Sequence, residues 1–273
     1  MIDLIKVWME TEKNLKKNEM CKQYIKDSIK GNRIYYEKDD LGTILREEKR
    51  ETFPKNVTVT DSDSFTAASI ISKKHEGKIA VLNFANAYHP GGGVKRGAVA
   101  QEEDLCRCST LYAVLDTKEN WRDFYDRHNQ NKTAYGTSDI IYSPEIFVFR
   151  FSGGEYEFRL PEEHLFVDVI TCAAPCFRKA LPENDNSGAR ERLYEVHYAR
   201  GKRILECAVD NGVDYLVLGA FGCGAFHNDP AIVAKAYRDL MVKYAHHFKE
   251  VEFAVFCKDK EARNYKIFKE TLQ

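Results

Sequence analysis

The chain has 273 residues, of which 44% are hydrophobic and 12% aromatic, and its 41 Lys and Arg residues nearly balance its 42 Asp and Glu residues. This apolar content excludes a disordered chain, and no apolar run approaches the roughly 20 residues of a membrane-spanning helix. The balanced charge argues against a surface that binds a long row of nucleic-acid phosphates, although it is compatible with a small phosphorylated ligand.

The first elements along the chain are predicted to be a helix and two short strands. Residues 1–30 carry apolar side chains at helical spacing among charges, and strand-like runs follow at 33–36 and 57–60. Beyond them, apolar strands alternate with helices. We predict strands at 79–84, 166–174, 215–220 and 251–257, helices at 64–74, 102–114, 120–130, 189–211, 230–246 and 259–272, and an inserted hairpin from 140–151 and 156–159.

This alternation is typical of a three-layer α/β/α fold, in which helices cover both faces of a mixed, largely parallel sheet. The sequence contains no internal repeat, low-complexity tract or flexible linker that would indicate a second independent domain. We therefore expect one main domain over residues 57–273, with residues 1–56 as a helical and irregular extension packed on its core.

The eight cysteines are expected to be free thiols. No apolar signal segment precedes the chain, and the first residues are studded with Lys and Glu, so we expect a cytoplasmic location. The cysteine spacings lack the paired C-x2-C knuckles of a structural zinc site. We therefore expect neither a metal ion nor a cofactor.

The glycines are concentrated in two loops, which hold seven of the 16 in the chain. The loop over 83–103 contains three consecutive glycines, and the loop over 218–230 contains three more within six residues. Each follows an apolar strand and leads into a helix, where open α/β sheets bind their ligands. The amides of the second loop suit a diphosphate, whereas Asp229 and Pro230 form a helix cap. We predict a nucleotide-like ligand held across the sheet edge.

Glu102 and Glu103 begin the helix after the first loop. Adjacent helical residues point about 100° apart, so we expect only one of the two to meet a reacting bond. A general acid needs a raised pKa, which burial or a bound anion provides and a helix N-terminus opposes. Taken alone, the pair is equally compatible with an acidic first turn that the helix dipole stabilises.

The spacing of Gly91, Gly92 and Gly93 from Gln101-Glu102-Glu103 resembles the GGG-x(6-8)-QEE signature of poly(ADP-ribose) glycohydrolases. The segments VDVITCAAP at 167–175 and VLGAFGCGAFHNDP at 217–230 resemble the compact bacterial-type branch of that family in the same order. The resemblance covers about 57–270 and implies a macrodomain-like fold with a catalytic domain. One departure is Cys176, where we expect Asn in relatives.

The resemblance implies that Glu103 is the catalytic glutamate and that Glu102 orients the ligand beside it. Asn86 would contact the distal ribose of ADP-ribose, and the second glycine loop would bind the diphosphate. The complete set of expected ADP-ribose-binding residues is Asn86, Gly91, Gly92, Gly93, Gln101, Phe221, Gly222, Cys223, Gly224, Ala225 and Phe226.

The implied reaction is hydrolysis of the ribose-ribose O-glycosidic bond of poly(ADP-ribose). Glu103 would protonate the leaving oxygen and then, as a carboxylate, activate water. The substrate partner would be poly(ADP-ribose) or an ADP-ribosylated protein, with no membrane or direct nucleic-acid binding. Three alternatives stay open: a mono-ADP-ribosyl hydrolase, a non-catalytic ADP-ribose reader and a hydrolase that uses Cys223 as nucleophile.

Overall fold

Seven strands form one mixed sheet in the order β1-β4-β5-β3-β6-β7-β2. The computed structural model describes residues 2–41, 44–48, 50–131, 133, 135–176, 188–257 and 262–273. The strands are β1 Arg33–Tyr35, β2 Val57–Thr60, β3 Ile79–Phe84, β4 Ile140–Val148, β5 Leu165–Cys172, β6 Tyr215–Leu218 and β7 Glu250–Ala254. The strands from β5 to β2 in this order pair in parallel, whereas β4 is antiparallel to both β1 and β5.

Helices cover both faces of this sheet. They are α1 Leu4–Lys17, α2 Glu19–Gly31, α3 Ser64–Lys74, α4 Gln101–Cys108, α5 Leu111–Leu115, α6 Lys118–Asn120, α7 Asp126–Gln130, α8 Ala189–Asp210, α9 Pro230–Tyr244 and α10 Arg263–Thr271. A π-helical turn, Trp121–Tyr125, joins α6 to α7, and short 3-10 turns lie at Val94–Arg96, Pro161–Glu163 and Ala245–His247. None of the helices among the described residues is both long and apolar enough to cross a membrane.

Strand β3 shows how the sheet separates two cores. Ile79 and Val81 pack with the helices from α1 to α5, whereas Ala80 and Leu82 pack with α8, α9 and α10. Successive side chains of a strand point to opposite faces, so a continuous apolar run fits a strand that is buried on both sides. The predicted three-layer α/β/α arrangement with a largely parallel sheet is confirmed.

Two predicted helices are interrupted. The helix predicted over 1–30 breaks at Asn18, whose backbone is extended and whose side chain accepts hydrogen bonds from the amides of Met20 and Cys21 as the N-cap of α2. The helix predicted over 102–114 stops at Cys108, because Ser109 is extended and forms an isolated bridge with Val148.

The predicted hairpin over 140–151 and 156–159 is wrong in its main part. Ile140–Val148 is a strand of the central sheet, where it pairs with β5 on one side and β1 on the other. Pairing between the two segments is confined to the isolated bridge Arg150↔Phe158 and the backbone hydrogen bonds of 2.9 Å from Phe151 to Glu157 and from Arg159 to Phe149, among the described residues. The strand is almost entirely buried, so burial against the main sheet outweighs local hairpin pairing. Of the predicted last helix, residues 259–261 lie outside the described residues.

Residues before position 57 make extensive contacts with the rest of the chain. β1 belongs to the sheet, and Val7 and Trp8 lie in the core that α1 shares with α3 and α4. The Thr11 hydroxyl donates a hydrogen bond to the carbonyl oxygen of Arg107 at 2.6 Å. The division at residue 57 into an extension and a catalytic domain stays a prediction.

Candidate active site

A cavity of about 550 Å³ opens at the carboxyl ends of the parallel strands. Its wall is formed by the loops that follow β2, β3, β6 and β7, by the segment after β4 and by the first residues of α4. Parallel strands end at the same edge of a sheet, so the two glycine loops, which are distant in sequence, meet there. A cavity of this size is in the range that buries a small ligand.

Glu103 is held by the glycine loop in front of it. The side chain is 8% exposed, and its Oε1 accepts a hydrogen bond of 2.9 Å from the amide of Gly93. Gly92 has a φ of +52°, and a Cβ atom there would lie 2.6 Å from Oε1 of Glu103 and 3.3 Å from Oε2 of Glu102. Glycine is required at this position because a side chain would displace the carboxyl groups.

Both carboxyl groups of the acidic pair therefore reach the same point beside Gly92. Glu102 is 3% exposed, and its Oε2 accepts a 2.7 Å hydrogen bond from the amide of Asn86. Burial raises the pKa of Glu102 to about 8, against the opposing effect of the Asn86 amide. At neutral pH the neutral form of Glu102 is therefore favoured, and its predicted role in orienting the ligand stays a prediction.

The raised pKa of Glu102 predicts a stability that falls as pH rises. Its ordinary value is 4.5, so between about pH 4.5 and 8 the unfolded chain releases a proton that the folded chain retains. Glu102→Gln cannot ionise, and we expect its free energy of unfolding to gain on the order of 4 kcal/mol over wild type across this range. Urea unfolding at pH 5 and pH 8 measures the difference.

The exposed Glu162 provides the control for that measurement, because Glu162→Gln removes a carboxylate without removing a buried one. We expect Glu162→Gln to follow the wild-type pH dependence. The raised pKa of Glu102 would be contradicted if the unfolding free energies of wild type and Glu102→Gln changed in parallel between pH 5 and pH 8.

Gln101 joins the start of α4 to β3. Its Oε1 accepts a 2.9 Å hydrogen bond from the amide of Phe84, and its Nε2 donates to the carbonyl oxygen of Leu82 at 2.8 Å and to the hydroxyl of Ser64 at 3.0 Å. These bonds fix the helix that carries the two glutamates. Gln101 lies on the cavity wall, and its predicted contact with ligand stays a prediction.

The second glycine loop is shaped by a residue that the sequence analysis did not single out. The buried Asn228 donates hydrogen bonds to the carbonyl oxygens of Pro175 at 2.8 Å and Gly222 at 2.9 Å. Its Oδ1 lies 3.1 Å from Nε2 of His197, which is also buried. These contacts hold the loop open toward the cavity, whose wall includes Gly224, Ala225 and Phe226, as well as Gly222.

Not every predicted site residue directs its side chain to the cavity. Phe221 is 0% exposed, and its ring packs against Phe84 with 5.6 Å between centroids. Burial raises the pKa of the Cys223 thiol far above its ordinary value, which is the reverse of what a thiolate nucleophile requires. Phe221 and Cys223 can therefore contact a ligand through their backbone groups. Gly91 has no room for a side chain, because a Cβ atom there would clash with the Tyr112 ring.

The cavity wall also carries groups that the sequence analysis missed. Asp104 accepts hydrogen bonds from the Tyr156 hydroxyl at 2.5 Å and from the Gly153 amide at 3.2 Å. Arg107 is 0% exposed; its Nη2 donates to the carbonyl oxygen of Ala98, whereas its Nε and Nη1 have no hydrogen-bond partner among the described residues. Helical spacing from Glu103 is the signal that would have placed Arg107 on this face.

Comparison with known proteins agrees with this geometry. The family model of the microbial-type PARG catalytic domain, where PARG is poly(ADP-ribose) glycohydrolase, matches residues 6–151. The PARG structure from Thermomonospora curvata is 31% identical, with a TM-score of 0.84 and coverage of 98% of each chain. The same enzyme bound to the inhibitor ADP-HPD is 31% identical, with a TM-score of 0.81 and coverage of 97% of each chain.

A PARG structure from Deinococcus radiodurans in complex with ADP-ribose is also similar. It is 33% identical, has a TM-score of 0.76 and covers 91% of this chain and 96% of that chain. No curated protein matches the chain significantly. The match of the family model to more than half of the sequence, together with these structural similarities, confirms the macrodomain-like fold and the predicted family. The chain belongs to the microbial-type poly(ADP-ribose) glycohydrolases.

Proposed function

We propose that this glycohydrolase cleaves the ribose-ribose O-glycosidic bond of poly(ADP-ribose) with Glu103 as its general acid and base. The observation that carries the proposal is the position of the Glu103 carboxyl group. This carboxyl group lies on the wall of the cavity that the second glycine loop also lines. The Gly93 amide donates a hydrogen bond of 2.9 Å to its Oε1.

In the first step, protonated Glu103 donates its proton to the leaving ribose oxygen while the bond from that oxygen to the anomeric carbon breaks. The bound diphosphate contributes negative charge, which favours the oxocarbenium-like carbon during cleavage. In the second step, the Glu103 carboxylate accepts a proton from water as the water oxygen bonds to the anomeric carbon. The Gly93 amide stabilises the carboxylate between the two steps.

The ligand contacts of the site follow from its two loops. Backbone amides of the loop from Gly222 to Phe226 suit the diphosphate, because they provide hydrogen-bond donors without a charged side chain. Asn86 lies on the cavity wall beside Glu102 and suits the distal ribose. We propose these residues as the ADP-ribose site, and the ADP-ribose complex of the Deinococcus radiodurans enzyme supports the choice of ligand.

The same site suits an ADP-ribosyl group on a protein, so an ADP-ribosylated protein is a second candidate substrate.

We further propose that the chain acts in the cytoplasm, since all eight cysteines are free thiols, as expected in a reducing compartment. The proposed organisation is a catalytic domain over 57–273 that the extension over 1–56 supports. Direct nucleic-acid binding is not part of the proposal, because the charge of the chain is balanced.

A release assay on defined substrates tests the proposed activity. Purified protein is incubated with poly(ADP-ribose), with an ADP-ribosyl serine peptide and with an ADP-ribosyl glutamate peptide, and free ADP-ribose is quantified by chromatography. We expect release from the polymer. Binding of ADP-ribose without release from any substrate would instead establish a non-catalytic reader, and release from peptides alone would establish a mono-ADP-ribosyl hydrolase.

A further inference from the structure

Arg96 lies beside the catalytic carboxyl group but outside the ligand cavity. A Cβ atom built on Gly93 would be 3.8 Å from Nη2 of Arg96 and 3.6 Å from Oε1 of Glu103, so the guanidinium and the carboxyl group approach the same point. Arg96 is exposed and does not belong to the cavity wall. Its side chain is therefore open to solvent close to Glu103.

The electrostatics of this region favour a role for that charge. The cavity wall carries four carboxyl groups, those of Asp63, Glu102, Glu103 and Asp104. Among the described residues of the wall, Arg107 provides the one cationic side chain, and it is fully buried. Arg96, by contrast, forms no ion pair with any acid that the structure describes. This exposed cation is thus available to pair with an anionic group of a ligand that reaches Glu103.

The backbone that carries Arg96 is held in place. Its amide donates a 2.9 Å hydrogen bond to the carbonyl oxygen of Gly93, which closes the 3-10 turn Val94–Arg96. Gly97 then takes a φ of +72°, and a Cβ atom there would lie 3.1 Å from Cγ1 of Ile5 in α1. The turn is packed against α1, so a ligand that pairs with Arg96 need not first order the backbone.

The chemistry of the polymer places phosphate near this position. The bond that breaks joins the anomeric carbon of one ADP-ribose unit to the ribose oxygen of the neighbouring adenosine, and that adenosine carries its own diphosphate one ribose ring away. We propose that Arg96 binds the diphosphate of this leaving nucleotide, which makes it a specificity residue that favours polymer over substrates with an uncharged acceptor. The inference rests on the proposed hydrolysis at Glu103.

The test compares Arg96→Ala with Lys95→Ala on two substrates. Lys95 is the matched control, because it is the adjacent exposed cation and its Nζ lies 4.8 Å from the centroid of the Tyr112 ring. The substrates are poly(ADP-ribose) and an ADP-ribosyl serine peptide without charged side chains. We expect Arg96→Ala to lower kcat/KM for polymer about fivefold more than for the peptide, whereas Lys95→Ala changes neither.

Two further measurements separate phosphate binding from a structural role. Arg96→Lys keeps the charge, so it is expected to recover at least half of the lost kcat/KM on polymer. Because a phosphate contact releases counterions, Arg96→Ala should also reduce the slope of log kcat/KM against log salt concentration by about one unit on polymer. A general change in fold would not make the recovery by Arg96→Lys or the salt slope of kcat/KM depend on the substrate.

Equal losses on polymer and peptide, or an unchanged salt slope on polymer, would overturn the role of Arg96. These results differ from failure of the proposed function, in which wild-type protein would release no ADP-ribose from the polymer. If wild type cleaves polymer and Arg96→Ala cleaves it equally well, hydrolysis at Glu103 stands and the phosphate site beside it does not.

Discussion

Glu103→Gln is expected to reduce the turnover of poly(ADP-ribose) at least a thousandfold while ADP-ribose still binds within about threefold of wild-type affinity. General acid and base catalysis by one positioned group contributes about 10²–10⁴-fold, and here one carboxyl group serves both steps. The glutamine keeps an oxygen that can accept the 2.9 Å hydrogen bond from the Gly93 amide, so the loop should retain its position. Single-turnover release of ADP-ribose and calorimetric binding measure the two quantities.

Glu103→Asp provides a graded control for this result. It retains the acid but withdraws it by one methylene from the Gly93 amide and from the reacting bond, so an intermediate loss of about a hundredfold is expected. Thermal unfolding of all variants checks that the fold is intact. A Glu103→Gln protein that keeps more than a tenth of wild-type turnover would exclude Glu103 as the general acid and base.

Gly222→Ala is expected to weaken ADP-ribose binding at least tenfold and to lower the free energy of unfolding by about 1–3 kcal/mol. Gly222 has a φ of +78°, and a Cβ atom there would lie 2.6 Å from Nδ2 of Asn228 and 2.7 Å from Cβ of Ala174. The methyl group would push Asn228 away from the carbonyl oxygens that it binds. The loop amides would then no longer converge on a diphosphate, and both calorimetric binding and urea unfolding should record the change.

Gly224→Ala is the matched control within the same loop. A Cβ atom at Gly224 would have no atom of the part of the chain that the structure describes within 4 Å, and its φ lies outside the left-handed region. We expect its free energy of unfolding to stay within about 0.5 kcal/mol of wild type. If Gly222→Ala is as stable as Gly224→Ala and binds ADP-ribose with wild-type affinity, Gly222 does not shape the binding loop.

The elements that the sequence predicts with the correct bounds depend on short-range patterns. α3 spans Ser64–Lys74 and β3 spans Ile79–Phe84, as predicted. Asp229 caps α9 by accepting a 2.9 Å hydrogen bond from the amide of Ala231, with Pro230 in the first turn, again as predicted. Capping and hydrophobic periodicity operate over a few neighbouring residues, so the order of residues contains this information directly.

The sequence does less well where a distant segment competes with a local one. Residues 140–148 have the composition of a hairpin strand, yet they pair with β1 and β5 in the central sheet. Ser109 leaves the helix to meet Val148, although 102–114 has a continuous helical pattern. Pairing partners far away in sequence set these outcomes through burial, which local propensity does not describe.

The sequence by itself determined the family, the two glycine loops and the pair of acids next to them. Tertiary structure decided the surroundings of these groups: it brings both carboxyl groups to Gly92, buries Glu102 so that its pKa rises to about 8, and leaves Arg96 exposed near Glu103. The position of a residue along a helix predicts the direction in which its side chain leaves the backbone. The charge state and the partner of that side chain depend on desolvation and on atoms from distant loops, which only the folded chain brings together.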